Sequence, residues 1–247
     1  GPAAFMRSFY NNHSQSWHAI DYKTFPEETR IALRIQYAGL VKQIDDEVGS
    51  IIQACKDADI WDNTLFVITS DHGDHVGDRG MVGKGDFFEE SIHIPLIVKQ
   101  PGQSNGQRLQ TPVELQQIPP TIMQTADTIV PPWWDYAPLP EGDEPSGETF
   151  QFGILSDTSM ARKGPWKLIQ FDVGNYVELY NLDDDPDELH DRSDDPNCQA
   201  VRIELSEQLL FWVRRQALLG HADKRLPAGL LSNGNFSRCG WKRSYPQ

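Results

Sequence analysis

Polar residues that could do chemistry are concentrated between two apolar runs, residues 64–69 and 94–99. Asp71 and His72 follow almost directly after the first run. A carboxylate oxygen and an imidazole nitrogen are ligands that divalent cations such as Ca²⁺, Mg²⁺, Mn²⁺ or Zn²⁺ accept in proteins. Two ligands are too few for a catalytic metal site, so we expect further ligands to come from elsewhere.

A lysine between two glycines, Gly83-Lys84-Gly85, lies in the same segment. Glycines let the backbone come close to a bound anion. The lysine ammonium is a compact point charge that suits phosphate or sulfate oxygens. Taken singly, Asp71 is more simply explained as a turn or cap residue and Lys84 as a solvated lysine. Their combination in one glycine-rich segment favours a binding site.

The elements that must position these residues are predicted from hydrophobic periodicity. The two apolar runs predict two buried strands, and in open α/β sheets ligands bind just outside the carboxyl ends of the strands. Residues 26–58 predict a helix, because a proline and two glutamates open a segment with apolar residues every three or four positions. Residues 113–128 also predict a helix, which Pro119 and Pro120 should end or kink.

The second part of the chain has a different pattern. Residues 129–149 are rich in proline, glycine and acidic residues, which indicates a boundary. Residues 150–156, 166–172 and 176–182 then predict a small antiparallel sheet, with a Gly174-Asn175 turn. A helix over residues 199–219 is predicted to cover this sheet. We therefore divide the chain into residues 1–149, an α/β part, and residues 150–247, a small sheet with a helix and a tail.

Composition excludes some partners. A formal net charge of −14 disfavours nucleic acid, which needs clustered lysine and arginine. No apolar run reaches the roughly 20 residues that cross a bilayer, so we expect no membrane partner. The three cysteines, Cys55, Cys198 and Cys239, form no zinc spacing and no evident disulfide framework. Composition assigns no compartment and leaves a homo-oligomer open.

A long ordered motif resembles the sulfatase family of the alkaline phosphatase superfamily. Residues 70–98 read SDHGDHVGDRGMVGKGDFFEESIHIPLIV. The usual family form is a strand, S-D-H/N-G, a G-D-x-G turn, G-K and an E-E-S-x-x-x-P-L-I strand. Residues 36–52 resemble the preceding helix, and residues 162–170 and 178–191 resemble the C-terminal subdomain. The similarity covers most of residues 30–215 and corresponds to the carboxyl half of such an enzyme.

The resemblance implies a fold and a site. The fold would be an alkaline-phosphatase-like α/β fold, with a mixed or parallel sheet flanked by helices. Asp71 and His72 would be metal ligands, and Lys84 would act in catalysis by binding sulfate or phosphate oxygens. His75 and Asp74 would either support the site from behind or lie at the substrate rim, with His75 as a substrate-binding candidate. The cofactor would be one divalent cation, with Ca²⁺ as first candidate before Mn²⁺, Mg²⁺ or Zn²⁺. The substrate would be a sulfate ester, or a phosphate or phosphonate ester.

The departures from the family pattern concern the nucleophile. The family uses a formylglycine made from the cysteine or serine of C-x-P-x-R, or an unmodified residue in some relatives, and none of the three cysteines lies in that motif. The paired metal-binding aspartates of the amino-terminal half are also missing. We therefore expect a C-terminal portion of a metal-dependent sulfuric ester hydrolase that is inactive by itself. The alternatives are a phosphonate monoester or phosphodiester hydrolase, and a catalytically silent binding module.

Overall fold

The computed structural model describes residues 25–131, 134–142, 149–155, 158–172 and 174–224, so the predicted tail lies outside the described residues. The helices are α1 Glu27–Asp57, α2 Glu89–Ile92, α3 Ile118–Thr125 and α4 Gln199–Lys224. The strands are β1 Phe66–Thr69, β2 Leu96–Lys99, β3 Phe150–Leu155, β4 Thr158–Lys163, β5 Trp166–Phe171 and β6 Tyr176–Asn181. Within this part of the chain, no helix is both long and apolar enough to span a bilayer.

The two strands on either side of the polar segment form one antiparallel pair. β1 pairs with β2, from Phe66 opposite Lys99 to Thr69 opposite Leu96. The strand-loop-strand prediction is therefore confirmed, but the prediction that both strands are buried is wrong. Ile97 of β2 is 59% exposed, and no residue of either strand is fully buried. The reason is that no third strand pairs with these two within the described residues.

Helix α1 begins and ends within a residue of its prediction. Pro26 precedes it, Glu27 and Glu28 occupy its first turn, and Lys56 lies in its last turn, which places charges favourably against the helix dipole. None of its residues is buried, and Ile35 is 66% exposed. The apolar stripe that the periodicity predicted is thus present but uncovered by the described residues.

The prediction for residues 113–128 needs a correction. A short 3₁₀ turn over Leu115–Gln117 leads into helix α3, and Pro119 and Pro120 lie at its start. The prolines therefore begin this helix instead of ending it. The first helical positions have no intrahelical partner for a backbone N–H, so proline costs nothing there.

The second sheet has the strand order β3-β4-β5-β6, all antiparallel. The Gly174-Asn175 turn between β5 and β6 is confirmed, with both residues at positive φ. Strand β4 was missed, because TSMARK contains few of the β-branched and aromatic residues that indicate a strand. It is a central strand whose first four residues are buried.

Two apolar clusters cover the two faces of this sheet, as the alternation of side chains along a strand requires. On one face, Leu168 and Leu179 pack with Leu205 and Leu209 of α4, which confirms that this helix covers the sheet. On the other face lie the side chains of Phe87, Phe88, Met160, Ile169, Phe171 and Tyr180. Because Phe87 and Phe88 come from the segment between β1 and β2, one core joins residues from both sides of the predicted boundary at 149, which itself stays a prediction.

A buried ion cluster reinforces the contact between the β1-β2 connecting segment and the four-stranded sheet. Lys167 on β5 is 0% exposed, and its Nζ lies 2.7 Å from Glu89 Oε1 and 2.5 Å from Glu188 Oε1. The second carboxylate oxygen of Glu188 accepts the backbone N–H of Glu89 at 2.8 Å. The first residue of α2 is therefore bound to the sheet through both its side chain and its backbone.

We expect Lys167→Met to lower the free energy of unfolding by about 3–5 kcal/mol, because it leaves the buried Glu188 and the largely buried Glu89 without their shared cation. Urea denaturation measures this change. Lys42→Met is the matched control, since Lys42 forms an exposed pair with Asp46 and such pairs contribute about 0–1 kcal/mol. Equal effects of the two substitutions would contradict the role given to Lys167.

The same cluster predicts a dependence of stability on pH. Burial acts to raise the pKa of Glu89, but the charge and hydrogen bond of Lys167, together with Arg162, hold that pKa below its usual 4.5. The stabilisation is therefore complete above pH 4.5 and is lost as the pH falls through the lower folded-state value. We expect the excess unfolding free energy of the wild type over Glu89→Gln to be constant near neutral pH and to shrink in acid. An excess that grew below pH 4.5 would show the opposite sign and refute this linkage.

Candidate functional site

The segment between β1 and β2, residues 70–95, is here called the site loop. Its first turn is fixed by Gly73, whose N–H donates to Ser91 O at 2.8 Å. A Cβ on Gly73 would lie only 2.0 Å from the carbonyl oxygen of Glu90. Glycine is thus required because the backbone of α2 passes directly against it, and this contact explains why glycine follows Asp71 and His72.

His72 is oriented by the backbone next to it. Its Nδ1 lies 2.8 Å from Gly73 O, and a carbonyl oxygen can only accept, so Nδ1 carries the proton and donates. The lone pair of a neutral ring is then on Nε2, which lies 3.3 Å from Asp71 Oδ2. Asp71 is 82% exposed. Two lone-pair atoms therefore converge on one solvent-accessible point, which a cation can stabilise.

Lys84 reaches the same point from the other end of the site loop. Its Nζ contacts His72 Nε2 and can donate to the lone pair there. Gly83 and Gly85 on either side adopt φ values of +93° and +128°, which are readily accessible only to glycine. The structure thus brings together three of the four residues that sequence analysis selected, Asp71, His72 and Lys84.

The donor chemistry of this point fits a divalent cation. Metal-ligating histidines commonly donate their second ring N–H to a carbonyl or carboxylate, and the Nδ1 contact of His72 with Gly73 O is of that kind. Asp71 adds a carboxylate oxygen at hydrogen-bonding distance from Nε2. Over the described residues, however, no group of three or more His, Cys, Asp or Glu side chains could hold a metal. Asp71 and His72 thus offer two donors, which is fewer than a catalytic metal site needs.

His75 lies in the interior, behind the exposed residues of the site loop. It is 1% exposed, and its Nε2 lies 2.7 Å from Oδ2 of Asp86, which is also buried. Burial opposes a charge on the ring, but the hydrogen bond and charge of Asp86, with the charge of Glu90, raise the pKa of His75 above 6.5. This interior position gives no support to direct substrate contact. Asp86 was missed because nothing in a spacing of eleven residues indicates a pair across a loop.

Arg79 is a second residue that sequence reasoning missed. Its Nε lies 3.2 Å from Glu90 Oε1, its Nη1 donates to Glu188 O at 2.9 Å, and its guanidinium lies 4.0 Å from the centre of the Phe88 ring. It occupies the variable position of the G-D-x-G turn, so the motif did not mark it. Arg79 links the middle of the site loop to α2 and to the segment after β6.

Comparison with known proteins assigns the family. The sulfatase family model matches residues 1–128, which is more than half of the chain. The chain belongs to the sulfatase family. The choline-sulfatase of Rhizobium meliloti (strain 1021) is 31% identical over 191 residues, covering 72% of this chain and 37% of that protein. Arylsulfatase K of Gallus gallus is 29% identical over 199 residues, covering 70% of this chain and 37% of that protein.

A solved structure supports the same assignment. The phosphonate monoester hydrolase of Silicibacter pomeroyi superposes with a TM-score of 0.70 at 26% identity, covering 77% of this chain and 42% of that one. The predicted α/β fold of the alkaline phosphatase superfamily is thereby confirmed. The chain spans about two fifths of the length of these relatives.

Gly73→Ala tests the contact that shapes the first turn of the site loop. We expect it to destabilise the sulfatase chain by about 1–3 kcal/mol, because the new Cβ must displace the backbone of α2. Gly39→Ala is the control, since Gly39 lies on α1 and a Cβ added there would meet nothing within 4 Å. That substitution should stabilise by about 0.5–1 kcal/mol through helix propensity. Urea denaturation of both variants gives the sign of each change in unfolding free energy. A Gly73→Ala variant as stable as the wild type would contradict the close approach of the α2 backbone to Gly73.

Proposed function

We propose that the protein containing this chain is a metal-dependent sulfuric ester hydrolase whose site includes Asp71, His72 and Lys84. One observation carries the proposal: Asp71 Oδ2, His72 Nε2 and Lys84 Nζ converge on one accessible point. A cation site beside a lysine ammonium suits an anionic ester, because two positive charges can share its oxygens.

Each residue has a distinct role in this proposal. Asp71 and His72 hold the divalent cation, and Gly73 O keeps His72 in the tautomer that leaves Nε2 able to bind it. The cation, when bound, supplies Lewis-acid stabilisation of the transferring group. Lys84 binds the sulfuryl oxygens and stabilises the charge that develops on them. Calcium is the first candidate on the family resemblance, with Mn²⁺, Mg²⁺ and Zn²⁺ as alternatives.

The nucleophile has no candidate in these 247 residues. A formylglycine from a C-x-P-x-R motif, together with the remaining metal ligands, would have to come from other sequence of the intact protein. The 247-residue chain alone is accordingly proposed to be inactive, and the partial ligand set of Asp71 and His72 to bind cations only weakly.

A phosphonate monoester or phosphodiester hydrolase is the second candidate. It is favoured by the similarity to the Silicibacter pomeroyi phosphonate monoester hydrolase, at a TM-score of 0.70. Sulfuryl and phosphoryl groups present similar oxygens to a cation and a lysine, so the same site serves both. Steady-state kinetics of the intact protein with a sulfate, a phosphate and a phosphonate ester of one phenol would rank the two candidates.

Lys84→Ala in the intact protein tests the role of the ammonium. We expect kcat/KM for an aryl sulfate to fall by about 10²–10³, the usual effect of removing one donor to a developing negative charge. Lys42→Ala is the control, because Lys42 is exposed on α1 and pairs with Asp46, which is exposed as well. A kcat/KM for Lys84→Ala within a factor of about two of the wild type would remove Lys84 from the mechanism, since that change lies far below the expected loss.

A further inference from the structure

We infer that Asp74, His75 and Asp86 are positioning residues that hold Lys84 against His72. This inference rests on the proposed role of Lys84 and extends it. None of the three residues is placed at the reacting atoms. Their role is to fix the short exposed segment that carries the lysine.

Two adjacent residues, Asp74 and His75, hold the near side of the segment that carries Lys84, which is its N-terminal side at Gly83. The N–H of His75 donates to Gly83 O at 2.7 Å, and the N–H of Gly83 donates to Asp74 Oδ1 at 3.0 Å. The residue immediately before Lys84 therefore has both of its backbone polar groups bound by the Asp74-His75 pair. The backbone at Gly83 cannot rotate without breaking one of these bonds.

The far side is held by the side chain of His75. Its Nε2 bonds Asp86 Oδ2 at 2.7 Å, and Asp86 Oδ1 accepts the N–H of Phe88 at 3.1 Å. His75 and Asp86 are buried, whereas Lys84 and Gly85 between the two held positions are exposed. His75 thus spans the exposed residues, binding Gly83 with its backbone and Asp86 with its ring.

Steric packing around the two glycines contributes little to fixing Lys84. A Cβ on Gly83 or on Gly85 would meet nothing within 4 Å, so the space beside each of these glycines is open. Glycine also has the widest backbone freedom, and a lysine side chain carries about 2 kcal/mol of rotamer entropy. The hydrogen bonds at Gly83 and Asp86 are therefore what restrict the lysine to the vicinity of His72.

The hydrogen-bonded pair of His75 and Asp86 is anchored in the apolar core. Nδ1 of His75 has no hydrogen-bond partner in the described structure, so Asp86 alone orients the ring through hydrogen bonding. The ring lies edge-on to Phe88, with the centroids 6.3 Å apart, and Phe88 contacts Tyr180 of β6 at 6.2 Å. These ring contacts connect the segment that carries Lys84 to the second sheet.

The test uses the full 247-residue chain and asks how freely Lys84 moves. Trypsin cleaves after lysine only where a segment can open locally, and mass spectrometry measures each bond separately. We expect Asp86→Asn and His75→Gln to accelerate cleavage of the Lys84-Gly85 bond at least fivefold, with cleavage after Lys42 unchanged. His93→Gln is the matched control, because the His93 side chain lies in the same loop and is 78% exposed.

A spectroscopic measurement distinguishes a role in positioning Lys84 from a contribution to overall stability. The ¹⁵N resonance of His72 Nε2 reports the contact with the Lys84 ammonium. In Asp86→Asn and His75→Gln we expect it to move toward the position that it has in Lys84→Ala. A merely destabilised chain that kept the contact would leave this resonance at its wild-type position.

Several outcomes would overturn the inference. Wild-type cleavage and an unmoved His72 resonance in both variants would do so, and so would equal acceleration at every tryptic site. Should Asp86→Asn and His75→Gln fail to fold, Asp74→Ala provides the same test from the near side, because Asp74 is only half-buried and its removal strands no charge. Neither readout needs a substrate. Both therefore remain interpretable if Lys84 has no role in catalysis.

Discussion

The contact of the buried Lys167 ammonium with Glu89 and Glu188 is the interaction on which the site depends. It binds the start of α2 to the four-stranded sheet. The end of α2 in turn holds Gly73 through Ser91 O, and Gly73 fixes the turn that presents Asp71 and His72. A buried ion pair adds little net stability over an apolar pair, but it specifies geometry strictly, because an unpaired interior charge is costly.

The site separates exposed functional atoms from buried supporting ones. Asp71 and Lys84 are exposed and can meet a ligand, whereas His75, Asp86 and Lys167 are buried. A flexible surface lysine would lose much of its binding energy to the entropy of ordering. Holding its flanking residues from the interior reduces that cost before a ligand arrives, which is the physical meaning of preorganisation.

The features predicted correctly from the sequence are those that interactions between neighbouring residues determine. The bounds of α1, the β5-β6 turn and the selection of Asp71, His72 and Lys84 depended on periodicity, turn chemistry and a contiguous motif. Asp86 and Arg79 were missed because their partners are distant in sequence, and β4 because burial between two strands overrode weak propensity. The burial of β1 and β2 was overestimated for a related reason, since burial depends on what packs over a strand and not on its own residues. The roles of Asp71, His72 and Lys84 in binding stay predictions.

The apolar stripe of α1, which the described residues leave uncovered, has a consequence for how the chain behaves in solution. Ile35 and Ile44 are each more than half exposed, and a contiguous apolar surface of this kind promotes association between molecules. The net charge of −14 opposes that association by mutual repulsion. Because salt screens the repulsion and leaves the apolar attraction in place, the solubility of the chain depends on ionic strength. Electrostatic repulsion is therefore the force that opposes association through this face, and low salt strengthens it.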